Sequence, residues 1–213
     1  MDPLLIDFPE RIETERLVLR CPRPGDGPAL SAAVCASLDA LRPWILWAKD
    51  APSAEESEAD CRRMQAKFLL REDLVMLIFE KGSEGPEGPV LGAAGLHRID
   101  WAARCFEIGY WRRIGLDGLG IASEAVTALA RLAFDRLQAR RVEIRMDDDN
   151  ERSWKLAERT GFTFEALLRL NAITPLGEPR STRVYARVRG VEEPESDAPE
   201  VRPAGSDESG TRR

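Results

Sequence analysis

Three strand-like runs follow one another between residues 74 and 113: LVMLIFEK, PVLGAAGLHRID and RCFEIGYWRR. The connections between them are short and hold Gly, Pro or polar residues. Runs joined in this way read as an antiparallel meander. Directly after the third run comes GLDGLGIASEAV (115–126), with three glycines in six positions and then a series of helix formers. Ala122, Ala125, Val126, Leu129, Ala133 and Leu137 share one helical side, with Arg131, Asp135 and Arg136 more exposed.

Other elements bracket this centre. RLVLRC (16–21) alternates as a strand. GDGPALSAAVCASLDALRP reads as an amphipathic helix, with Asp26 as N-cap and Pro28 in the first turn. LRPWILWA is an apolar connection. A second helix opens at Ser53, with Glu56 three residues on as a capping box. RRVEIRM is a strand, and NERSWKLAERTGF is a short helix capped by Asn150 and closed by a left-handed Gly161. TFEALLRLNAI and TRVYARV are the last strands. The order β-α-α-β-β-β-α-β-α-β-β predicts an α/β (α+β) domain, a mixed and mostly antiparallel sheet of about seven strands with helices on both faces.

Composition bounds the rest. A chain of 213 residues, 43% hydrophobic with five tryptophans, holds one real core. Residues 1–189 are expected to form that domain. The stretch 190–213 is rich in Pro, Glu, Ser and Gly and is expected to be a disordered acidic tail. A net charge of −6 argues against a nucleic-acid partner. Cys21, Cys35, Cys61 and Cys105 form no CxxC unit, and the chain has one histidine, so no metal site is expected. The scattered cysteines read as buried small hydrophobes in a reducing compartment. No apolar run approaches the ~20 residues that span a bilayer, and the acidic N-terminus lacks the basic region of a signal peptide. A cytoplasmic protein with no membrane partner, monomer or homodimer, is the expectation.

The glycine turn admits several readings by geometry. It is a plain strand-to-helix turn, or a place where bare amides and the positive end of a helix dipole receive a phosphate. The stretch GLGIAS imitates a dinucleotide fingerprint, but that motif belongs after the first strand of a βαβ unit. A P-loop fails, because no Gly-Lys-Ser/Thr follows.

FEIGYWRRIGLDGLGIASEAV, followed by VEIRMDDDNERSWKLAERTGF, resembles the GNAT superfamily of acyl-CoA-dependent N-acetyltransferases. It is similar within that superfamily to the branch that acetylates the N-terminal amines of ribosomal proteins. TERLVLR and LRPWILWA match the same branch, and the likeness covers about residues 12 to 188. The resemblance implies the GNAT fold and direct transfer of an acetyl group from acetyl-CoA to a primary amine, such as a protein N-terminal α-amine, without a metal. Two alternatives stay open: a small-molecule acceptor such as an amino sugar or polyamine, and a non-catalytic coenzyme A-binding regulatory module.

The resemblance also implies site residues. The pyrophosphate would sit on Gly118 and the amides of Leu119, Gly120, Ile121, Ala122 and Ser123, with Tyr110, Trp111 and Arg112 on the preceding strand and Asn150 beside the pantetheine arm. Asp117 stands where the family commonly has Gln or Arg, and it would repel the phosphates unless it turns outward or Arg112 and Arg113 offset it. Glu107 matches the family's base. Its residue type alone also fits a solvated strand glutamate. His97 is a structural histidine, a rival base or a substrate-positioning group. Ser153 would assist the leaving thiol or is an ordinary first-turn serine. The family's tyrosine is replaced by Ala157. The Tyr110 N–H would meet the oxyanion, and a splay between GYW and EIR would admit the pantetheine. Trp44 and Trp47 wall an acceptor pocket or belong to the core. Cys105 shares the Glu107 face but has no base set around it, so a covalent route is not expected.

Overall fold

The computed structural model describes residues 2–85, 88–175 and 177–194. Its strands are β1 (Arg11–Glu13), β2 (Leu17–Arg20), β3 (Leu74–Glu80), β4 (Gly92–Asp100), β5 (Cys105–Arg112), β6 (Arg141–Asp147), β7 (Thr163–Ile173) and β8 (Pro179–Val188). Its helices are α1 (Gly27–Leu41), α2 (Ala54–Leu69), α3 (Ile121–Asp135) and α4 (Glu151–Arg159). The strands join in one sheet, in the order β1-β2-β3-β4-β5-β6-β8-β7. Among the described residues, β5 and β6 are the one parallel pair, and β3-β4-β5 is the expected meander.

The sheet is covered on both faces. Leu74, Met76 and Ile78 of β3 pack with α3, while Leu77 and Phe79 pack with Leu30, Ala33 and Val34 of α1 and Cys61 of α2. This is why LVMLIF is apolar throughout and does not alternate. α3 has to fill the larger core, and it buries Ile121, Ala122, Ala125, Val126, Leu129, Ala130, Leu132, Ala133 and Phe134.

Local signals held at most ends. Ser53 and Glu56 form the capping box, at 3.1 and 2.8 Å. Asn150 Oδ1 accepts from the Ser153 N–H at 3.2 Å, and Gly161 closes α4 at φ 82°. Asp26 differs from expectation: its side chain caps nothing. Arg20 is buried and requires a counter-charge, and both Asp26 oxygens bind its guanidinium at 2.7 Å. The N–H groups of Gly25 and Gly27 go to Glu58 of α2 instead.

Strand β1 has three residues, too few for an alternating pattern to declare itself, and it was not foreseen. The cysteine reading needs correction as well: Cys21 and Cys61 are buried, Cys105 is half-buried and Cys35 is exposed. Residues beyond Arg189 continue in contact with the domain. Gly190 N–H donates to Glu193 O at 2.7 Å, Val188 N–H to Glu192 Oε2 at 3.0 Å, and Arg187 pairs with Glu193. Residues 195–213, most of the expected disordered tail, lie outside the described residues. No helix among the described residues is long and apolar enough to cross a membrane.

Candidate active site

The site begins where the β5–β6 ladder stops. Cys105, Phe106 and Glu107 pair with Arg141, Val142 and Glu143, and pairing then ends. β5 stays on β4 as far as Arg112, and β6 stays on β8 as far as Asp147, so the two strands splay apart. Arg113 N–H donates to Leu91 O on the β4 side at 2.8 Å. Alternation along the strand turns the Tyr110 N–H the other way, into the gap.

At the mouth of the splay the glycine turn meets α3. Gly120 is its N-cap at φ 74°, with no side-chain cap, so the first-turn amides carry no capping side chain. Only a residue without Cβ holds that backbone cheaply. The turn is tied down by the residue that precedes β2. Arg16 Nη1 donates to Leu119 O at 2.8 Å, and Arg16 Nε donates to Glu124 Oε2 at 2.8 Å.

A cleft of about 410 Å³ opens over these amides. Gly118, Gly120, Ile121, Ala122, Ser123 and Arg112 line it, as expected. Leu119, Tyr110, Trp111, Asn150 and Ser153 are not among its lining residues. Arg113 is not either, so Arg112 alone of the two arginines reaches it. The sequence reading missed Arg152, Lys155, Leu156 and Arg159, which α4 presents to the cleft. Their spacing of three and four was the available signal, one face of a short helix that is basic.

Asp117 is about half exposed and ion-paired. It contacts Arg112, and Arg152 Nη1 lies 3.4 Å from its Oδ1. The hydrogen bond from Arg112 holds its carboxyl below the ordinary value. The charge that should repel a phosphate is thus partly neutralised, and four cations face one anion in the cleft.

Comparison with known proteins identifies the family. Residues 16–163 match the model of the acetyltransferase (GNAT) domain. The chain belongs to the GNAT acetyltransferase family. YdaF of Bacillus subtilis (strain 168), for which ribosomal N-acetyltransfer is itself a proposal, is 30% identical over 73% of this chain and 82% of its own. The ribosomal-protein-serine acetyltransferase of Escherichia coli (strain K12) is 29% identical over 59% of this chain and 69% of its own. Among solved structures, the ribosomal L7/L12 α-N-protein acetyltransferase RimL in complex with coenzyme A aligns with a TM-score of 0.76 at 25% identity. That alignment covers 84% of this chain and 98% of the other. The self-immunity acetyltransferase MccE, in complex with acetyl-CoA and AMP, shares the fold at a TM-score of 0.78 and 22% identity, over 85% and 98%.

The opposite face of this GNAT sheet carries Glu107 and His97. Phe106 and Ile108 face the α3 core, so Glu107, Gly109 and Trp111 face away from it. Glu107 sits on the last rung of the β5–β6 ladder, its side chain largely buried. Burial raises its pKa, against the opposing pull of Arg98 and Arg145, whose Nε atoms lie 3.3 and 3.6 Å from Oε2. Its Oε2 is buried without a hydrogen-bond partner. His97 is the register partner of Glu107 on β4. Its ring lies over Gly109, where a Cβ would fall 2.7 Å from Cδ2. Asp73 Oδ1 is 2.6 Å from His97 Nδ1, an orienting carboxylate the sequence reading did not find.

Trp47 is 55% exposed and stands edge-on to Trp111 at 6.1 Å, so it is no core residue. Trp44 is half-buried, and its carbonyl accepts from Arg180 of β8 at 3.4 Å. Ser153 lies on the other face, with Tyr110 Oη 2.8 Å from its Oγ. Burial raises the Cys105 thiol, which is the wrong direction for a nucleophile.

Proposed function

We propose that this acetyl-CoA-dependent N-acetyltransferase seats the coenzyme pyrophosphate on the amides of Gly120, Ile121, Ala122 and Ser123. Arg112, Arg152, Lys155 and Arg159 then meet the phosphate charges. The pantetheine arm runs into the splay between β5 and β6, where its amides pair with free strand backbone as an added strand would. The thioester carbonyl meets the Tyr110 N–H as charge develops on oxygen.

The amine enters from the face that carries Glu107. Glu107 takes its proton, directly or through water, with His97 positioning the acceptor beside it. Nitrogen attacks the carbonyl carbon, the C–N bond forms, and the C–S bond breaks with its electron pair left on sulfur. Ser153 stands by that sulfur, and Trp44 and Trp47 wall the acceptor pocket. The acceptor is a protein N-terminal α-amine, in the cytoplasm. The exposure of Trp47 supports an acceptor larger than a metabolite.

The observation that carries this reading is the junction of an uncapped helix N-terminus, a basic cleft and a strand splay ending at Glu107. The test is product formation from acetyl-CoA and a panel of peptides, polyamines and amino sugars. Peptide N-terminal products support the reading. Products from polyamines or amino sugars alone move the acceptor class. Binding of coenzyme A without any product makes the chain a regulatory module.

A further inference from the structure

Tyr110 and Ser153 come from opposite sides of the splay, one on β5 and the other in the first turn of α4. Their hydroxyl oxygens are 2.8 Å apart. We propose that Tyr110 polarises Ser153, so that the two hydroxyls act as one hydrogen-bond chain on the departing sulfur of acetyl-CoA. The proposal rests on the coenzyme placement given above.

A phenol is a far stronger acid than an alkyl alcohol, so Tyr110 donates and Ser153 accepts. The Ser153 proton is then left to point elsewhere. Burial pushes the Tyr110 hydroxyl up to about 12, so it keeps its proton and stays a donor near neutral pH. Ser153 is fixed separately, by its N–H bond to Asn150 Oδ1. α4 docks through Leu156 and Ala157 in the larger core, so the hydroxyl pair is not what holds the helix.

No proton leaves the chain of hydroxyls. As C–S breaks, negative charge grows on sulfur, the Ser153 O–H donates to it, and the Tyr110 O–H strengthens that donor. The coenzyme departs as thiolate, and the amine proton goes to the base on the opposite face. Tyr110 is therefore a positioning residue, acting through Ser153.

Tyr110→Phe removes one oxygen and keeps the backbone N–H. Its kcat should fall about tenfold, the worth of one hydrogen bond made in the transition state, with the acetyl-CoA KM within about twofold of wild type. In a Ser153→Ala background the same substitution should leave kcat unchanged, because the chain is already cut. An equal loss in both backgrounds overturns the proposal, and so does a full-rate Tyr110→Phe or a change confined to KM. If Tyr110→Phe fails to fold, fluorotyrosine at position 110 keeps the shape and donates more strongly. It should raise kcat, and an unchanged kcat is contrary. A wild-type chain that acetylates no amine overturns the acyl-transfer reading together with this one, whereas an active wild type with an unaffected Phe variant overturns this one alone.

Discussion

Glu107 is placed at a residue-scale conflict between burial, which disfavours its carboxylate, and two nearby arginines, which favour it. Burial wins, so the group titrates above an ordinary carboxylate. The base form is lost as pH falls through that raised value, and the acid limb of kcat/KM should lie above the usual carboxylate range. Glu107→Gln should cut kcat by about 100-fold or more at neutral pH and leave acetyl-CoA affinity nearly intact. Part of the loss should return at high pH, where an α-amine of pKa about 8 deprotonates unaided. A pH–rate comparison with His97→Ala checks this, since loss of the acid limb in the histidine variant alone would transfer the role to His97. Asp117 poses a second residue-scale question. Paired with Arg112 and Arg152, it competes with phosphate for both. Asp117→Asn should tighten coenzyme A binding by a few-fold in calorimetry, with a gain that shrinks as salt screens the cleft.

Helix α3 starts in the left-handed turn at Gly120, and that element-scale junction depends on two restraints. The first is the backbone at φ 74°, which a β-branched residue resists. The second is Arg16, whose Nη2 would lie 3.3 Å from any Cβ at position 120. Gly120→Val should weaken acetyl-CoA binding by more than tenfold, about 1.4 kcal/mol, in calorimetry on protein shown to be folded. Arg16→Leu releases Leu119 O and Glu124 together, so the acetyl-CoA KM should rise about tenfold with kcat little changed, and Arg16→Lys should restore part of it. Titration in rising salt would show whether the α4 cations act as a set. Lys155→Ala and Arg159→Ala should each flatten the salt dependence of coenzyme binding.

On the scale of the whole molecule, the far end of the described chain closes on the sheet. Arg187 of β8 is largely buried, lies 5.6 Å from the Phe134 and Phe162 ring centres, and pairs with Glu193. Ending the chain after Arg189 removes that counter-charge, leaves the guanidinium its bond to the Thr160 carbonyl, and should cost about 1–3 kcal/mol in denaturant unfolding. Ending it after Pro194 removes only a segment too polar to bury a core, and kcat and Tm should hold. Equal stability of the two truncations would show that residues 190–194 add nothing to the fold.

The sequence by itself determined the elements other than β1, because each of them is set by neighbours in the chain. The meander followed from short connections, the capping box from Ser53 and Glu56, and the α3 turn from residues that tolerate a left-handed backbone. Asp26 failed as a cap because its partner, Arg20, is six residues away and buried, a demand no local pattern expresses. The same holds for the site. Gly118 to Ser123 were legible as one contiguous turn, whereas Arg152, Lys155 and Arg159 became a cleft wall only when α4 docked beside that turn. Asp73 meets His97 across 24 residues, and Tyr110 meets Ser153 across 43. The first contact depends on the register of β3 on β4, and the second on α4 docking across the splay from β5. Local sequence specifies backbone conformation, but the meeting of charged and hydroxyl groups depends on packing, and packing is a property of the whole chain.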